Sequence, residues 1–131
     1  MAIRVQHIDH VAITVRDIQG SIDWYTETLG LEHRPVIEWG SYPQMVCAGE
    51  TCVALFPASV DEPRDLEEGE SARTITMRHL AFRVDRENFD GAREAFAEKA
   101  VAFEFADHDV AHSLYVSDPD GHRIELTTYE V

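Results

Sequence analysis

Two stretches of the chain alternate apolar and polar side chains with the period of two that is typical of a β-strand with one face in a core. One covers residues 8–15 and reads IDHVAITV, and the other covers residues 79–84 and reads HLAFRV. A histidine stands near the start of each stretch, His10 in the first and His79 in the second. The chain therefore contains one strand pattern twice, with a histidine at the equivalent position of both copies.

Each of these strands is followed by a helical pattern and then by short strands. Apolar residues at helical spacing predict helices over residues 17–30, where Gly30 is a suitable stop, and over about 88–100. The predicted short strands lie at 36–39, 44–48, 51–56, 103–105, 112–117 and 123–129. The element order βαβββ thus occurs twice. Neither half can bury its sheet face alone, so the two modules must pack side by side or pair with those of a second chain.

The length of 131 residues predicts a single domain built from these two modules. We place module 1 at about 5–57, an acidic linker at about 58–73 and module 2 at about 74–131. The stretch 57–73 carries two prolines, and six acidic residues stand between positions 61 and 70. It has no apolar period, which is typical of a solvated linker or a mobile loop.

The charge of the chain is strongly negative. The formal net charge is −14, and the basic residues are ten arginines and a single lysine, Lys99. Such a surface repels nucleic acid and anionic membranes, so we expect neither as a partner. An acidic surface almost free of lysine fits a protein adapted to high salt, and a genome that prefers arginine codons is the alternative explanation.

The expected compartment bears on the state of the two cysteines. No long apolar run predicts a membrane span, and the N-terminus lacks the basic region and apolar stretch of a secretory signal, so we expect a cytoplasmic protein. Cys47 and Cys52 flank the turn at 48–51 and could face each other across a hairpin. In a cytoplasmic chain we expect free, half-buried thiols there instead of a disulfide.

A carboxylate accompanies the two histidines. Glu125 lies inside the otherwise apolar segment IEL at 124–126, and by alternation its side chain points away from the core. A single histidine at the start of a strand is usually only a half-buried side chain. Two histidines at equivalent positions and a carboxylate on a related strand instead favour a metal site made of His10, His79 and Glu125.

Three groups of motifs, in this order, resemble the vicinal oxygen chelate superfamily. That superfamily includes glyoxalase I, methylmalonyl-CoA epimerase, extradiol ring-cleaving dioxygenases, fosfomycin-resistance enzymes and bleomycin-binding proteins. The matching motifs are HVA at 10–12 with WY at 24–25 and LGL at 29–31, RHLAF at 78–82, and DPDGHRIEL at 118–126. The resemblance covers nearly the whole chain and implies an α+β fold, in which two βαβββ modules form a curled mixed sheet cup around a metal ion.

The resemblance also implies a ligand set. It assigns His10, His79 and Glu125 to one divalent metal ion per site, with iron(II) or manganese(II) favoured and zinc, nickel or cobalt possible. Aligning VAL at 53–55 with IEL at 124–126 places Ala54 where a fourth ligand would stand. Glyoxalase I and the epimerases usually fill four positions, whereas extradiol dioxygenases and fosfomycin enzymes use two histidines and one carboxylate. Three protein ligands leave positions open for substrate oxygens, dioxygen or water.

The segment before Glu125 resembles the catalytic segment of the extradiol dioxygenases. His108, Tyr115 and the turn at 118–121 have the spacing found there, although Ala106 departs from the usual residue two positions before the histidine. A neutral His108 could take a catechol proton, and the Tyr115 hydroxyl could orient a substrate oxygen. The alternative is that His108 stands on an exposed loop and that Tyr115 only packs against the wall of the cup.

Three further residues are candidates for substrate binding: Ser113, His112 and Arg83. Ser113 and Tyr115 resemble a pair that contacts a phosphonate in fosfomycin enzymes, but those enzymes usually carry a threonine where this chain has Ala12. His112 could instead lie on an exposed loop. Arg83 shares a strand face with His79, so it could hold an anionic group. It could equally be a rim arginine paired with an acidic neighbour.

The sequence therefore predicts a small metalloenzyme that chelates vicinal oxygens of a small organic substrate, with extradiol-dioxygenase-like oxidoreductase chemistry as the leading interpretation. A glyoxalase-type lyase or isomerase is the alternative enzyme. A metal-free binding protein similar to the bleomycin-resistance proteins is the alternative from another functional class. Family members of this size commonly pair, so we expect a homodimer.

The acidic composition leads to a prediction about salt. If carboxylate repulsion dominates the surface, the melting temperature should rise markedly between low and molar salt, because the Debye length shrinks to ~3 Å at ~1 M. Thermal unfolding across a sodium chloride series measures this. A melting temperature that stays flat would favour the codon-preference explanation.

Overall fold

The computed structural model describes residues 2–58 and 77–131. These residues form two compact units, unit 1 in the first range and unit 2 in the second. Each unit consists of one four-stranded mixed sheet and one α-helix, and each has the predicted order βαβββ. Within these two ranges, no helix is both long enough and apolar enough to cross a membrane.

Unit 1 begins with strand β1 (His10–Val15) and helix α1 (Ile18–Leu29). Strand β2 (Glu32–Arg34), a 3-10 helix (Ile37–Trp39), strand β3 (Gln44–Ala48) and strand β4 (Thr51–Pro57) follow. The strands lie in the order β1-β4-β3-β2, with β1 parallel to β4 and the other pairs antiparallel.

Unit 2 repeats this architecture. It contains strand β5 (Leu80–Arg83), helix α2 (Arg86–Glu98), strand β6 (Glu104–Asp107), strand β7 (His112–Ser117) and strand β8 (Arg123–Thr128). The strands lie in the order β5-β8-β7-β6, and again the first and last strands of the unit are parallel.

Both helices begin at an aspartate that caps the first turn. Asp17 accepts a hydrogen bond from the Gly20 amide at 3.1 Å, and Asp85 accepts one from the Asn88 amide at 2.8 Å. The hydrogen bonds from Asn88 hold the pKa of the Asp85 carboxyl below its usual value. Helix α1 ends at Leu29 and is capped by Gly30, whose φ of 70° is the left-handed conformation that glycine adopts without strain. The predicted helix boundaries therefore agree with these caps to within about a turn.

Each helix covers one face of its own sheet. In unit 1, Tyr25 of α1 is fully buried together with Val46, Val53 and Leu55 of the sheet. In unit 2, α2 places the fully buried Phe89 against Phe105 of the sheet, with 6.3 Å between ring centroids. By strand alternation, the covered face of the second sheet carries Leu114, Ile124 and Leu126.

The predicted strand at 36–39 is wrong. Those residues form the 3-10 helix, in which Ile37 is 89 % exposed, and the edge strand is β2, directly after α1. Strand β2 reads EHR and pairs only with β3 among the strands that the structure describes. It lacks the apolar alternation on which strand prediction depends. Of the predicted linker at 57–73, Pro57 ends β4, and the stretch from residue 59 onward lies outside the described residues.

The expectation of free thiols is also corrected. Cys47 and Cys52 are register partners in the β3–β4 hairpin, with their Cα atoms 4.0 Å apart, and their sulfurs form a disulfide. The compartment argument failed because the hairpin register places the two side chains opposite each other on one face. They belong to an apolar cluster with Met45, Ala54 and Phe56.

Phe89 provides a test of this packing. Phe89→Ala should lower the free energy of unfolding by about 3–5 kcal/mol, since it leaves a cavity between α2 and the sheet. Phe105→Ala removes a ring that is already 39 % exposed, so it should lower the free energy of unfolding much less. Urea unfolding followed by circular dichroism compares the two variants. Equal losses would contradict the described packing.

Candidate metal-binding and catalytic site

The candidate site residues gather on the sheet face of unit 2 that is opposite α2. Register places Ala81, Glu125, Tyr115 and Glu104 side by side across the four strands. The neighbouring row contains Arg83, Thr127, Ser113 and Ala106. We call this surface the Glu125 face. Its polar character contrasts with the apolar face that α2 covers, as the alternation around Glu125 predicted.

His79 and Glu125 meet at this face. His79 lies just before β5, and its Nε2 is 2.9 Å from Oε1 of Glu125. The Ser113 hydroxyl donates a hydrogen bond to the other carboxylate oxygen, Oε2, at 2.7 Å. The Glu125 side chain is only 10 % exposed, whereas the His79 side chain is 34 % exposed. The carboxylate is therefore fixed on both sides, and the imidazole beside it is open to solvent.

This pair fits two ligands of one metal ion. Two donor atoms that are each about 2.1 Å from an ion and at about 90° to each other are separated by about 3.0 Å. The observed 2.9 Å separation matches that value, and an imidazole with a carboxylate suits divalent transition metals. Residues 2–58 and 77–131 contain no cluster of three or more His, Cys, Asp or Glu side chains that could hold an ion. His79 and Glu125 are thus a pair of candidate ligands.

His108 and Tyr115 form a second pair at the same face. His108 Nε2 lies 3.2 Å from the Tyr115 hydroxyl, and the Tyr115 ring packs edge-on against His79 with 5.8 Å between centroids. The guanidinium of Arg123 lies 4.5 Å from the Tyr115 ring centroid and is paired with Glu104 at 3.1 Å. Tyr115 is also the register partner of Glu125. The predicted acid–base residues therefore lie next to the predicted ligands.

The turn between β7 and β8 sets this register. The Asp118 carboxylate accepts hydrogen bonds from the amides of Asp120 at 2.9 Å and His122 at 2.8 Å. Gly121 adopts a φ of 89°, which favours glycine. Five residues, 118–122, separate the register partners Ser117 and Arg123. The DPDGH motif is thus a closed turn that positions Tyr115 opposite Glu125.

The structure places His112 on the sheet face opposite the other candidate residues of unit 2. His112 pairs with Thr128 on the face that α2 covers. Its Nδ1 lies 2.9 Å from a guanidinium nitrogen of Arg86, and its ring packs against Phe89 and Phe105. His112 therefore belongs to the interface between helix and sheet.

His10 in unit 1 occupies the position equivalent to His79. It stands two residues before Ala12, the register partner of Ala54, as His79 stands two residues before Ala81, the register partner of Glu125. The alignment of Ala54 with Glu125 is thereby confirmed. His10 Nδ1 lies 2.7 Å from the Asp9 carboxylate. Its other nitrogen, Nε2, is therefore the one that could bind a metal ion.

Several contributing residues escaped the sequence reasoning. Asp9, Glu104 and Arg123 support site residues through side-chain contacts. Ser113 was predicted to bind substrate, whereas its hydroxyl bonds to Glu125. The carboxylate of Asp9 directly before His10 was a readable signal, because a carboxylate often orients a ligand histidine. The other contacts depend on cross-strand register.

Comparison with known proteins agrees with this architecture. The chain is 31% identical over 123 residues to "Glutathione transferase FosA" of Serratia marcescens, covering 93% of this chain and 80% of that protein. It is 29% identical over 127 residues to "Catechol-2,3-dioxygenase" of Bacillus subtilis, covering 92% of this chain but only 40% of that protein. The crystal structure of a glyoxalase/dioxygenase from Nostoc punctiforme matches with a TM-score of 0.75 and 25% identity, covering 96% of this chain and 92% of that one.

The family assignment rests on the length of the match. The sequence model of the Glyoxalase/Bleomycin resistance protein/Dioxygenase superfamily matches residues 7–126, which include both histidines and the carboxylate discussed above. The two sheets and two helices have the corresponding fold. This chain belongs to the Glyoxalase/Bleomycin resistance protein/Dioxygenase superfamily.

Proposed function

We propose that this protein is a metal-dependent enzyme with ring-cleaving, dioxygenase-like chemistry on a small substrate that carries vicinal oxygens. The observation that supports the proposal is the pairing of His108 with Tyr115 on the face where His79 meets Glu125. An acid–base pair beside two candidate ligands is what proton transfer from a bound hydroxyl requires. The similarity to the catechol dioxygenase of Bacillus subtilis is consistent with it.

The proposed ligand set is His10, His79 and Glu125, with iron(II) or manganese(II) as the favoured ion and zinc, nickel or cobalt as alternatives. The equivalent positions of the two histidines in their units support this set. The proposal includes a homodimer, and His10 comes from the same chain or from the partner subunit. A bound divalent ion would hold the vicinal oxygens and stabilise negative charge that develops on them.

The residues of the Glu125 face have distinct proposed roles. His108 accepts a substrate hydroxyl proton at Nε2 and returns it later, while the Tyr115 hydroxyl, 3.2 Å away, orients the substrate oxygen. Ser113 keeps Glu125 in place through its 2.7 Å hydrogen bond. Arg123, stacked on Tyr115 and paired with Glu104, restrains the tyrosine ring.

Thiol transfer is the second candidate, because several relatives are transferases. "Metallothiol transferase FosB" of Staphylococcus epidermidis is 28% identical over 127 residues, covering 95% of this chain and 82% of that protein. Ser113 and Tyr115 share the Glu125 face, as a phosphonate-binding pair would. The Ser113 hydroxyl, however, is engaged by Glu125, and Ala12 offers no hydroxyl. These two observations favour the dioxygenase proposal.

The remaining alternatives are separated by their ligand requirements. A glyoxalase-type lyase or isomerase usually needs a fourth protein ligand, and the position equivalent to Glu125 is the buried Ala54. A metal-free binding protein would need no ion at all. A metal assay on protein purified without chelator therefore distinguishes the enzyme proposals from the binding protein.

The first functional prediction concerns metal. The protein should bind about one divalent ion per chain, and His79→Ala should weaken manganese binding by more than about 100-fold, because an incomplete shell remains. His112→Ala is the matched control, since it removes a histidine from the opposite face and should leave affinity unchanged. Isothermal titration with manganese(II) and elemental analysis measure both. Equal affinity in wild type and His79→Ala would contradict the ligand set.

Activity separates the two candidate chemistries. Iron(II)-loaded protein should consume oxygen with catechol, and His108→Ala should keep the metal but lower turnover by about 10²–10⁴-fold, since proton transfer is lost. Parallel assays follow the loss of free thiol from glutathione mixed with fosfomycin. Thiol loss without oxygen uptake would replace the dioxygenase proposal with the transferase.

Ser113 has a predicted effect of its own. Ser113→Ala should weaken metal binding by about 10–100-fold, because Glu125 loses the hydrogen bond that orients its carboxylate. Ser117→Ala is the control, as Ser117 lies on the same strand face without a described bond to Glu125. Titration with manganese(II) compares the two variants. If both behave as wild type, Ser113 does not orient the carboxylate.

A further inference from the structure

Arg83 lies on the Glu125 face without a carboxylate partner among the described residues. Arg34, Arg86 and Arg123 each pair with a carboxylate at 2.7–3.1 Å. The Arg83 guanidinium instead stacks over the ring of Tyr129, 4.6 Å from its centroid. In a chain with 25 acidic and 11 basic residues, a cation left unneutralised on the functional face is available for a ligand.

The position of Arg83 relative to Glu125 follows from strand register. Ala81 is the register partner of Glu125, and Arg83 is the partner of Thr127, one step further along the same face. The backbone of Arg83 thus lies two residues along the strand and one strand across from the backbone of Glu125, a separation of about 8 Å. The intervening side chain on β5 is only the methyl group of Ala81, so it leaves this part of the face open.

Stacking on Tyr129 suits Arg83 to bind an anion. A guanidinium held over an aromatic ring keeps its N–H groups available for hydrogen bonds, and these groups match the two oxygens of a carboxylate. The stacked ring also restricts the side chain, so less conformational entropy is lost on binding. The Thr127 hydroxyl stands on the neighbouring strand and adds a possible donor at the same level.

The net charge of −14 makes such a local cation necessary for anion binding. The long-range field of the protein repels anions, so an anionic group binds only where an unpaired cation meets it directly. Arg123, the other arginine of the Glu125 face, is already neutralised by Glu104. Arg83 is therefore the better placed of the two.

We propose that Arg83, supported by Tyr129 and flanked by Thr127, is a subsite for a carboxylate at the end of the substrate remote from its vicinal oxygens. The proposal rests on the proposed function, because the oxygens held near Glu125 fix where the other end of the substrate lies. It defines the substrate class as a carboxylated catechol, in which a benzene ring separates the two groups.

The test compares catechol, 3,4-dihydroxybenzoate and benzoate as probes of the manganese(II)-loaded protein without oxygen. Wild type should bind 3,4-dihydroxybenzoate on the order of 10–100-fold more tightly than catechol in isothermal titration, as expected for a charge-assisted hydrogen bond. Arg83→Ala should abolish this preference, and Arg83→Lys should retain part of it. Benzoate binding, followed by ligand-observed NMR, should also depend on Arg83.

Arg93→Ala provides the matched control. Arg93 also stacks on an aromatic ring, 4.4 Å from the centroid of Phe105, but it belongs to α2. The Arg93→Ala substitution removes the same positive charge at a position away from the Glu125 face. The preference for 3,4-dihydroxybenzoate over catechol should therefore persist. Loss of the preference in both variants would indicate a general charge effect and overturn the subsite. Melting temperatures verify that each variant is folded.

The outcomes separate the subsite from the proposed function. If catechol binds but the carboxylate adds nothing, or adds as much in Arg83→Ala, the subsite is wrong and the function stands. Catechol and 3,4-dihydroxybenzoate could both fail to bind through their hydroxyls while benzoate binding still requires Arg83. In that case the dioxygenase proposal is wrong and the anion subsite stands. If none of the three probes binds, both are overturned.

Discussion

The parallel pairing of the first and last strand is the constraint on which each unit depends. Parallel neighbours cannot be joined by a tight turn, so the intervening chain must supply a crossover. In unit 2 that crossover comprises α2 and the β6–β7 hairpin, and in unit 1 it comprises α1 and the β2–β3 hairpin. The same pairing places Ala81 beside Glu125 and Ala12 beside Ala54. Local structure and site geometry thus follow from one register.

Much of this architecture was readable from side-chain alternation. The strands at 44–48 and 112–117 were predicted at their observed bounds, and the direction of Glu125 followed from its apolar neighbours. The same alternation places His112 with Leu114 on the covered face. Contacts between distant residues were not readable. The Ser113–Glu125 bond joins positions 12 apart and exists only because β7 and β8 pair in one particular register.

The carboxylate of Glu125 shows how a nearly buried charge is kept in place. A charged group removed from water is costly unless hydrogen bonds replace its hydration. Here each oxygen has its own partner, a hydroxyl for Oε2 and an imidazole for Oε1. The equivalent position in unit 1 holds no charge. There Ala54 packs with Met45 and the Cys47–Cys52 disulfide. Two copies of one fold therefore carry a hydrogen-bonded carboxylate at this position in one unit and apolar packing in the other.

The closed turn at 118–122 limits how the length of this chain can vary. Inserting or deleting one residue there would slip β8 against β7 by one position, and side chains alternate between faces at each position. Glu125 would then point into the packing around Phe89, and an apolar neighbour would take its place beside Ser113. The hydrogen bond from the His122 amide to Asp118 and the positive φ of Gly121 hold the turn at this length. Homologous chains that keep this function should accordingly differ in the residue types of the turn but preserve its number of residues.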